Sequence, residues 1–356
     1  MFELDEIPFD HVIQALLDNE KPFPARLVYR LSDITPEESS SLKSAWGKAE
    51  LLRRRAVMED VQNMGEDDTL LDFSEVGKLA LKDADGYIRQ LAVRTLAEYE
   101  MAEMLPDFLY LVEHDADEQV RAACASALGV FVYLGEIEEI SQKKWRKTEE
   151  SLLRVHRSSD TALVRRKALE ALGYSSQDEM IPLIEQAYAQ GQREWLLSAL
   201  IAMGRSSNAV WNTRVTAMLE DRRADVRAEA ATAAGELGIR SASRRLMELL
   251  EDAHEDVRAA AIWALSEVGG EGVRSRLEAM QEDTDDEDEA DLIESALENL
   301  SFTEDFQQFA ILDVDEPDNA EDDDYLDEDD YDEDDLLNDL IDEEDEEIDG
   351  EDEDLG

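Results

Sequence analysis

Two stretches decide how this chain folds: Asp225-Val226-Arg227-Ala228-Glu229-Ala230-Ala231, running on to Leu237-Gly238, and Asp256-Val257-Arg258-Ala259-Ala260-Ala261, running on to Val268-Gly269. The second repeats the first 31 residues later. Each opens on an acid suited to a helix start, continues through small residues, and closes on an apolar residue and a glycine suited to a helix end. Before the first of them, Val210, Val215, Met218 and Leu219 form an apolar face at helical spacing, so the unit is two helices, with Asp225 as N-cap of the second.

The same pattern recurs upstream. Gln119-Val120-Arg121-Ala122-Ala123-Cys124 leads to Leu128-Gly129, Leu163-Val164-Arg165 leads to Leu172-Gly173, and Tyr87-Ile88-Arg89 leads to Leu96. A degenerate copy has Leu196 where Arg would stand and ends at Met203-Gly204; a worn acidic one runs from Asp291-Leu292-Ile293 to Leu300. Arg89 to Arg121 is 32 residues, Arg121 to Arg165 is 44, and the steps Arg165–Leu196–Arg227–Arg258 are 31 each. A constant period with one insertion is what stacked helix pairs produce, each covering its neighbour's apolar face. The insertion, around Glu136 to Glu150, is expected to lengthen one first helix. The fold expected is all-α: a right-handed α-solenoid of about seven helix pairs.

The Asp-Val-Arg opening, the small-residue middle and the Leu-Gly close resemble those of HEAT repeats, specifically the short bacterial units related to phycobiliprotein lyases. The resemblance covers about residues 71–301 and implies a solenoid; it is unspecific for function, since such repeats serve scaffolds, chaperones and a few enzymes. It also implies that the recurring Arg89, Arg121, Arg165, Arg227 and Arg258 form an Asp–Arg ladder between adjacent units, with Asp85, Asp117, Asp160, Asp225 and Asp256 as partners, and that the second helices line a concave recognition face.

Residues 1–70 are helical but off-period and are expected to cap the solenoid. Thr35-Pro36-Glu37-Glu38 is a helix start, with Thr as N-cap, Pro in the first turn and acids at the positive dipole end. That helix is expected to run through Trp46 and Arg53-Arg54-Arg55 to about Met64; the three arginines serve as a solvated face or pair with acids of the chain. From 302 to 356 there are 30 acids and no base, a composition expected to stay disordered. Tyr325, Leu326, Tyr331, Leu336, Leu337, Leu340 and Ile341 interrupt the acids, so this tail is either an interaction segment or a solubilising bristle.

The formal net charge is −57, and the last base is Arg276. This balance makes nucleic acid an improbable partner and favours proteins, basic ones included. The single cysteine, Cys124, excludes an internal disulfide and sits in an Ala-rich run, where a buried small side chain is expected. The acidic start and the absence of a long apolar stretch lead to the expectation of a cytoplasmic protein without a membrane span.

Chemistry is hard to place. The four histidines, His11, His114, His156 and His254, form no zinc pattern, and there is neither a phosphate loop nor a nucleophile elbow. Deoxyhypusine hydroxylases resemble this architecture but carry His-Glu pairs inside second helices, whereas His254-Glu255 falls in a turn. HEAT-like DNA glycosylases present basic faces, which this composition disfavours. No cofactor, metal or catalytic residue is assigned.

Counting from each ladder arginine, the fifth residue on (Arg94, Ser126, Glu170, Thr232, Trp263) and the ninth (Glu98, Val130, Tyr174, Glu236, Glu267) are expected on the concave face. Trp263 and Tyr174 are candidate aromatic anchors unless they pack between repeats, with Arg94 and Glu170 as polar candidates. Three functions remain open: a non-catalytic scaffold or adaptor holding a protein on the concave face, an acidic-tailed chaperone-like binder of basic proteins, and a lyase-like bilin-handling or cofactor-handling protein. Partner and oligomeric state are not specified.

Overall fold

A computed structural model describes residues 7–99 and 101–312, the stretch 302–312 as helix backbone alone. The expected acidic tail beyond it, with its Tyr325 to Ile341 run, lies outside the described residues. Among the described residues there are eighteen α-helices and no strand.

Four helices come first: α1 (Phe9–Leu17), α2 (Ala25–Val28), α3 (Pro36–Trp46) and α4 (Leu51–Asp67). Thr35 caps α3 as expected, in a full capping box: its hydroxyl accepts the Glu38 N–H and the Glu38 carboxylate accepts the Thr35 N–H. The single helix expected from Thr35 to Met64 is two. α3 ends at Gly47, and the chain turns through Lys48-Ala49 to a fresh start at Glu50, the N-cap of α4.

Seven helix pairs follow: α5 (Ser74–Ala80) with α6 (Gly86–Ala97), α7 (Leu105–His114) with α8 (Glu118–Glu136), α9 (Gln142–Arg157) with α10 (Ala162–Leu172), α11 (Met180–Ala189) with α12 (Arg193–Arg205), α13 (Asn212–Met218) with α14 (Ala224–Glu236), α15 (Ser243–Leu249) with α16 (Glu255–Val268), and α17 (Val273–Asp283) with α18 (Glu287–Leu312). The first six pairs each pack internally, and the second helices pack in a row, α4 on α6 on α8 on α10 on α12 on α14 on α16. Buried apolar side chains make one continuous cluster from Phe9 to Leu300. The insertion is shared between two helices rather than confined to a first helix. α8 runs to Glu136, well past Leu128-Gly129, and α9 is 16 residues long against 10 for α7.

The repeated glycines explain how the second helices come so close. A Cβ on Gly129 would lie 3.2 Å from the backbone of Ala171, and one on Gly235 3.0 Å from the backbone of Ala264 and 2.6 Å from the Trp263 ring. These glycines mark where the next second helix crosses, so they sit inside α8 and α14. Gly238, at φ +59°, is the one that ends α14: the chain turns back there and the Ile239 N–H reaches the Ala234 carbonyl at 2.9 Å.

The ladder exists, but most of its acids are not the expected ones. Arg89 pairs with Asp115, Arg121 with Asp160, Arg227 with Asp252 and Arg258 with Glu289, each acid belonging to the following unit. Arg54 of α4 joins the series through Asp83. Of the expected acids, Asp160 takes part, but with Arg121. Asp85 and Asp117 cap α6 and α8, accepting the N–H groups of Ile88 and Gln119, and Asp85 also accepts two hydrogen bonds from Arg55 of α4, not from a ladder arginine. Asp225 is not a cap, since Arg223 holds the N-cap position of α14, and its carboxylate pairs with Arg193 at the start of α12 rather than with a ladder arginine. The reason is the turn. In Asp83, Asp115, Asp221 and Asp252 one carboxylate oxygen accepts the N–H two residues on, at 2.8–3.0 Å. This local bond aims the carboxylate back toward the preceding helix's arginine. Each ladder arginine also donates to the backbone carbonyl of its own turn: Arg89 to Asp83, Arg121 to Asp115, Arg227 to Asp221 and Arg258 to Asp252.

The ladder is interrupted in the middle. The turn of the following unit, Gln190-Gly191-Gln192, has no carboxylate to offer Arg165. Its guanidinium donates to the His156 carbonyl at 2.9 Å and lies over the Trp195 ring, 5.6 Å from the centroid. One unit later, Leu196 leaves Asp221 without a preceding arginine, and Asp221 pairs with Arg223 of its own turn. Cys124 is buried as expected, and burial pushes its thiol far above the ordinary range.

Candidate functional site: a groove across the second helices

A groove of about 540 Å³ opens on the face built by α4, α6, α8 and α10. Alanines make its floor: Ala97 of α6 and Ala122, Ala123 and Ala127 of α8. They are small for the reason given by the repeat, since close-packed second helices leave no room for larger residues between them. Amides and charges make the walls. Gln62 and Glu66 come from α4, Gln90, Arg94 and Glu98 from α6 and its end, Gln119 and Ser126 from α8, and Lys167 from α10. Gln62 donates to Glu66 at 2.8 Å.

The four expected site residues do not converge. Arg94 stands in the groove wall, with the neighbouring register positions Ser126, Glu98 and Val130. Glu170, on α10, is buried: the Ser198 hydroxyl donates to one carboxylate oxygen at 2.6 Å and Lys167 to the other at 2.6 Å. Tyr174 follows α10, half-buried, between the Tyr133 ring at 5.6 Å and the Arg205 guanidinium at 4.8 Å. Trp263 is half-buried on α16, its ring against Gly235, three units beyond the groove's last helix.

Residues that counting from the arginine overlooked are Gln62, Gln90, Gln119 and Lys167. Gln90 and Gln119 lie one residue after and two residues before a ladder arginine, so writing every unit out in register would have shown amides collecting on this side. Nothing in the sequence marks Gln62, because α4 carries no copy of the opening motif.

Further along the same row of helices, Glu229 of α14 is half-buried and makes no ion pair among the described residues. Burial, reinforced by the like charges of Glu236 and Glu170, raises its pKa to about 7; Arg205 and Lys167 oppose the shift. His254 is the N-cap residue of α16 and His114 the last residue of α7, its ring stacked on Tyr110 at 4.7 Å. Among the described residues no group of three or more His, Cys, Asp and Glu side chains is placed to hold a metal ion. No described helix is long and apolar enough to cross a membrane.

Residues 74–143 and 212–298 match the family model of HEAT repeats. Over those residues the chain is similar to HEAT repeats. These two segments hold the intact ladder units on either side of its interruption, from Arg89 with Asp115 to Arg227 with Asp252. No curated protein matches the sequence. Among solved structures, the YibA protein of Escherichia coli is 18% identical over 77% of this chain and 95% of its own, with a TM-score of 0.41. The complex of CpcE and CpcF of phycocyanin lyase from Nostoc is 18% identical over 64% and 94%, with a TM-score of 0.42. Human deoxyhypusine hydroxylase is 18% identical over 83% and 96%, with a TM-score of 0.35. Likeness at this level carries no function from these proteins to this one.

Proposed function

We propose that this HEAT-repeat chain is a non-catalytic scaffold that holds a partner protein in the groove crossing α4 to α10. The observation that supports the reading is the groove itself: four successive second helices present one continuous depression with a floor of alanines and walls of amides and unlike charges. Small floors admit a polypeptide backbone, and amide walls supply the donors and acceptors it needs.

Ser126 is exposed at the groove and forms no hydrogen bond among the described residues, so Ser126→Trp fills the groove without disturbing the core. A partner captured by the full-length protein should slow deuterium uptake along α6 and α8, and Ser126→Trp should abolish both capture and protection. Protection confined to the first helices would overturn the reading. The 41 acids after Arg276 favour a second reading, a polyanionic chaperone for basic proteins. Under that reading, Ser126→Trp captures as well as the unaltered protein, and capture collapses as salt rises.

A further inference from the structure

We propose that the groove seats an extended segment of mixed charge, with one carboxylate of the partner on Arg94 and basic side chains on Glu66 and Glu98; this rests on the scaffold reading above.

Arg94 is set apart by what it does not touch. The neighbouring arginines of the repeat helices are engaged: Arg89 and Arg121 with the acids of the ladder, Arg166 with Ser198, Arg205 with the Glu170 carbonyl. Arg94 is exposed in the groove wall and forms neither a hydrogen bond nor an ion pair among the described residues. Glu98, the C-cap residue of α6, stands four residues on, and the two still do not pair. A guanidinium offers coplanar N–H groups that match a carboxylate two to two, and that fork is open toward the groove.

The surroundings restrict what can bring the carboxylate. Gln62 and Gln119 each carry a donor and an acceptor, the complement of a peptide unit, and the Ala97 and Ala123 floor admits a backbone closely. Glu66 and Glu98 repel a purely acidic segment. Arg94, which has no ion pair among the described residues, repels a purely basic one. An acid flanked by lysines or arginines meets Arg94 and the two glutamates together, with small apolar residues between them over the alanines. A groove of about 540 Å³ is within the usual range for a recognition pocket, which suits a short segment rather than a whole helix face.

The test uses the full-length protein and a displayed library of random heptapeptides, followed by fluorescence polarisation of the selected sequences. Enriched peptides should carry an Asp or Glu with Lys or Arg on either side. Arg94→Ala should weaken them at least tenfold at an unchanged melting temperature, because Arg94 has no partner to lose. Arg94→Glu should favour the same peptides with the central acid replaced by Lys. Peptides that bind Arg94→Ala as tightly as the unaltered protein, yet fail on Ser126→Trp, would overturn this inference and leave the scaffold reading standing. Peptides that ignore Ser126→Trp, or a library that enriches nothing, would sink both. Enrichment of all-acidic or all-basic sequences would overturn the charge pattern.

Discussion

Arg89 and Asp115 sit on consecutive repeats and meet through two parallel hydrogen bonds, Nε to Oδ2 at 2.8 Å and Nη2 to Oδ1 at 2.7 Å. The same fork recurs at Arg121 with Asp160 and Arg227 with Asp252. It is the polar half of the repeat interface, as the glycine-to-alanine crossings are its apolar half.

Arg227→Ala removes two bonds to Asp252 and one to the Asp221 carbonyl and strands a carboxylate that is only 10% exposed. Such a loss costs about 2–4 kcal/mol. Arg165→Ala should cost less, since Arg165 has no carboxylate partner and loses only the His156 carbonyl and the Trp195 face. Urea denaturation of both variants checks the order; equal losses would mean that the carboxylate fork adds nothing to the stack.

The acids of the ladder also set the response to acid. The Arg227 hydrogen bonds hold Asp252 below the ordinary carboxylate range, and those of Arg121 do the same for Asp160. A depressed folded-state pKa gives stability that is complete above the unfolded value and is lost as pH falls through the folded one. Stability should therefore decline below about pH 4. Asp252→Asn should be less stable than the unaltered protein at neutral pH, and the difference should shrink toward pH 2.

Glu229 works in the opposite sense. Its folded-state pKa is raised to about 7 from an ordinary 4.5, so the folded chain holds a proton that the unfolded chain releases in that interval. The group therefore opposes folding increasingly as pH climbs through the interval, and fully above it. Glu229→Gln should stabilise by roughly 1–3 kcal/mol at pH 8 and by almost nothing at pH 4. Melting temperatures across that range decide it, and a gain independent of pH would point to packing instead.

Gly235→Ala tests the apolar half. The new methyl meets the Ala264 backbone at 3.0 Å and the Trp263 ring at 2.6 Å, so α14 and α16 must part. Overpacking of this kind costs about 1–3 kcal/mol and outweighs the gain in helix propensity. Gly47→Ala is the control: nothing lies within 4 Å and its φ is −67°. It should be neutral or slightly stabilising, by up to about 1 kcal/mol.

Helix formation and its repetition are local matters, and they were legible in the residues alone. The spacing of Arg89, Arg121, Arg165, Arg227 and Arg258 marks the units, and Thr35-Pro36-Glu37-Glu38 marks a helix start, because caps and apolar periodicity act within a few residues along one helix. The break at Gly47 is not legible in the same way. A glycine between two helical patterns is a weak local signal; in the fold Trp46, the last residue of α3, donates its indole N–H to Asp83 at 2.7 Å across the stack.

What only the assembled stack decided is which groups face one another. An arginine side chain is long enough to span to the next unit, so the choice between Asp115 and Asp117 for a partner depends on how one turn is aimed at the preceding helix. The groove is of the same kind. Arg94, Gln62 and Gln119 come from three helices and become neighbours only when α4, α6 and α8 pack side by side. Arg94 stands without an ion pair because the folded chain, acidic as it is, places no carboxylate against that guanidinium among the described residues. Local periodicity determines the helices and their order; side-by-side packing, which brings together residues some 30 apart in sequence, determines the surface they present.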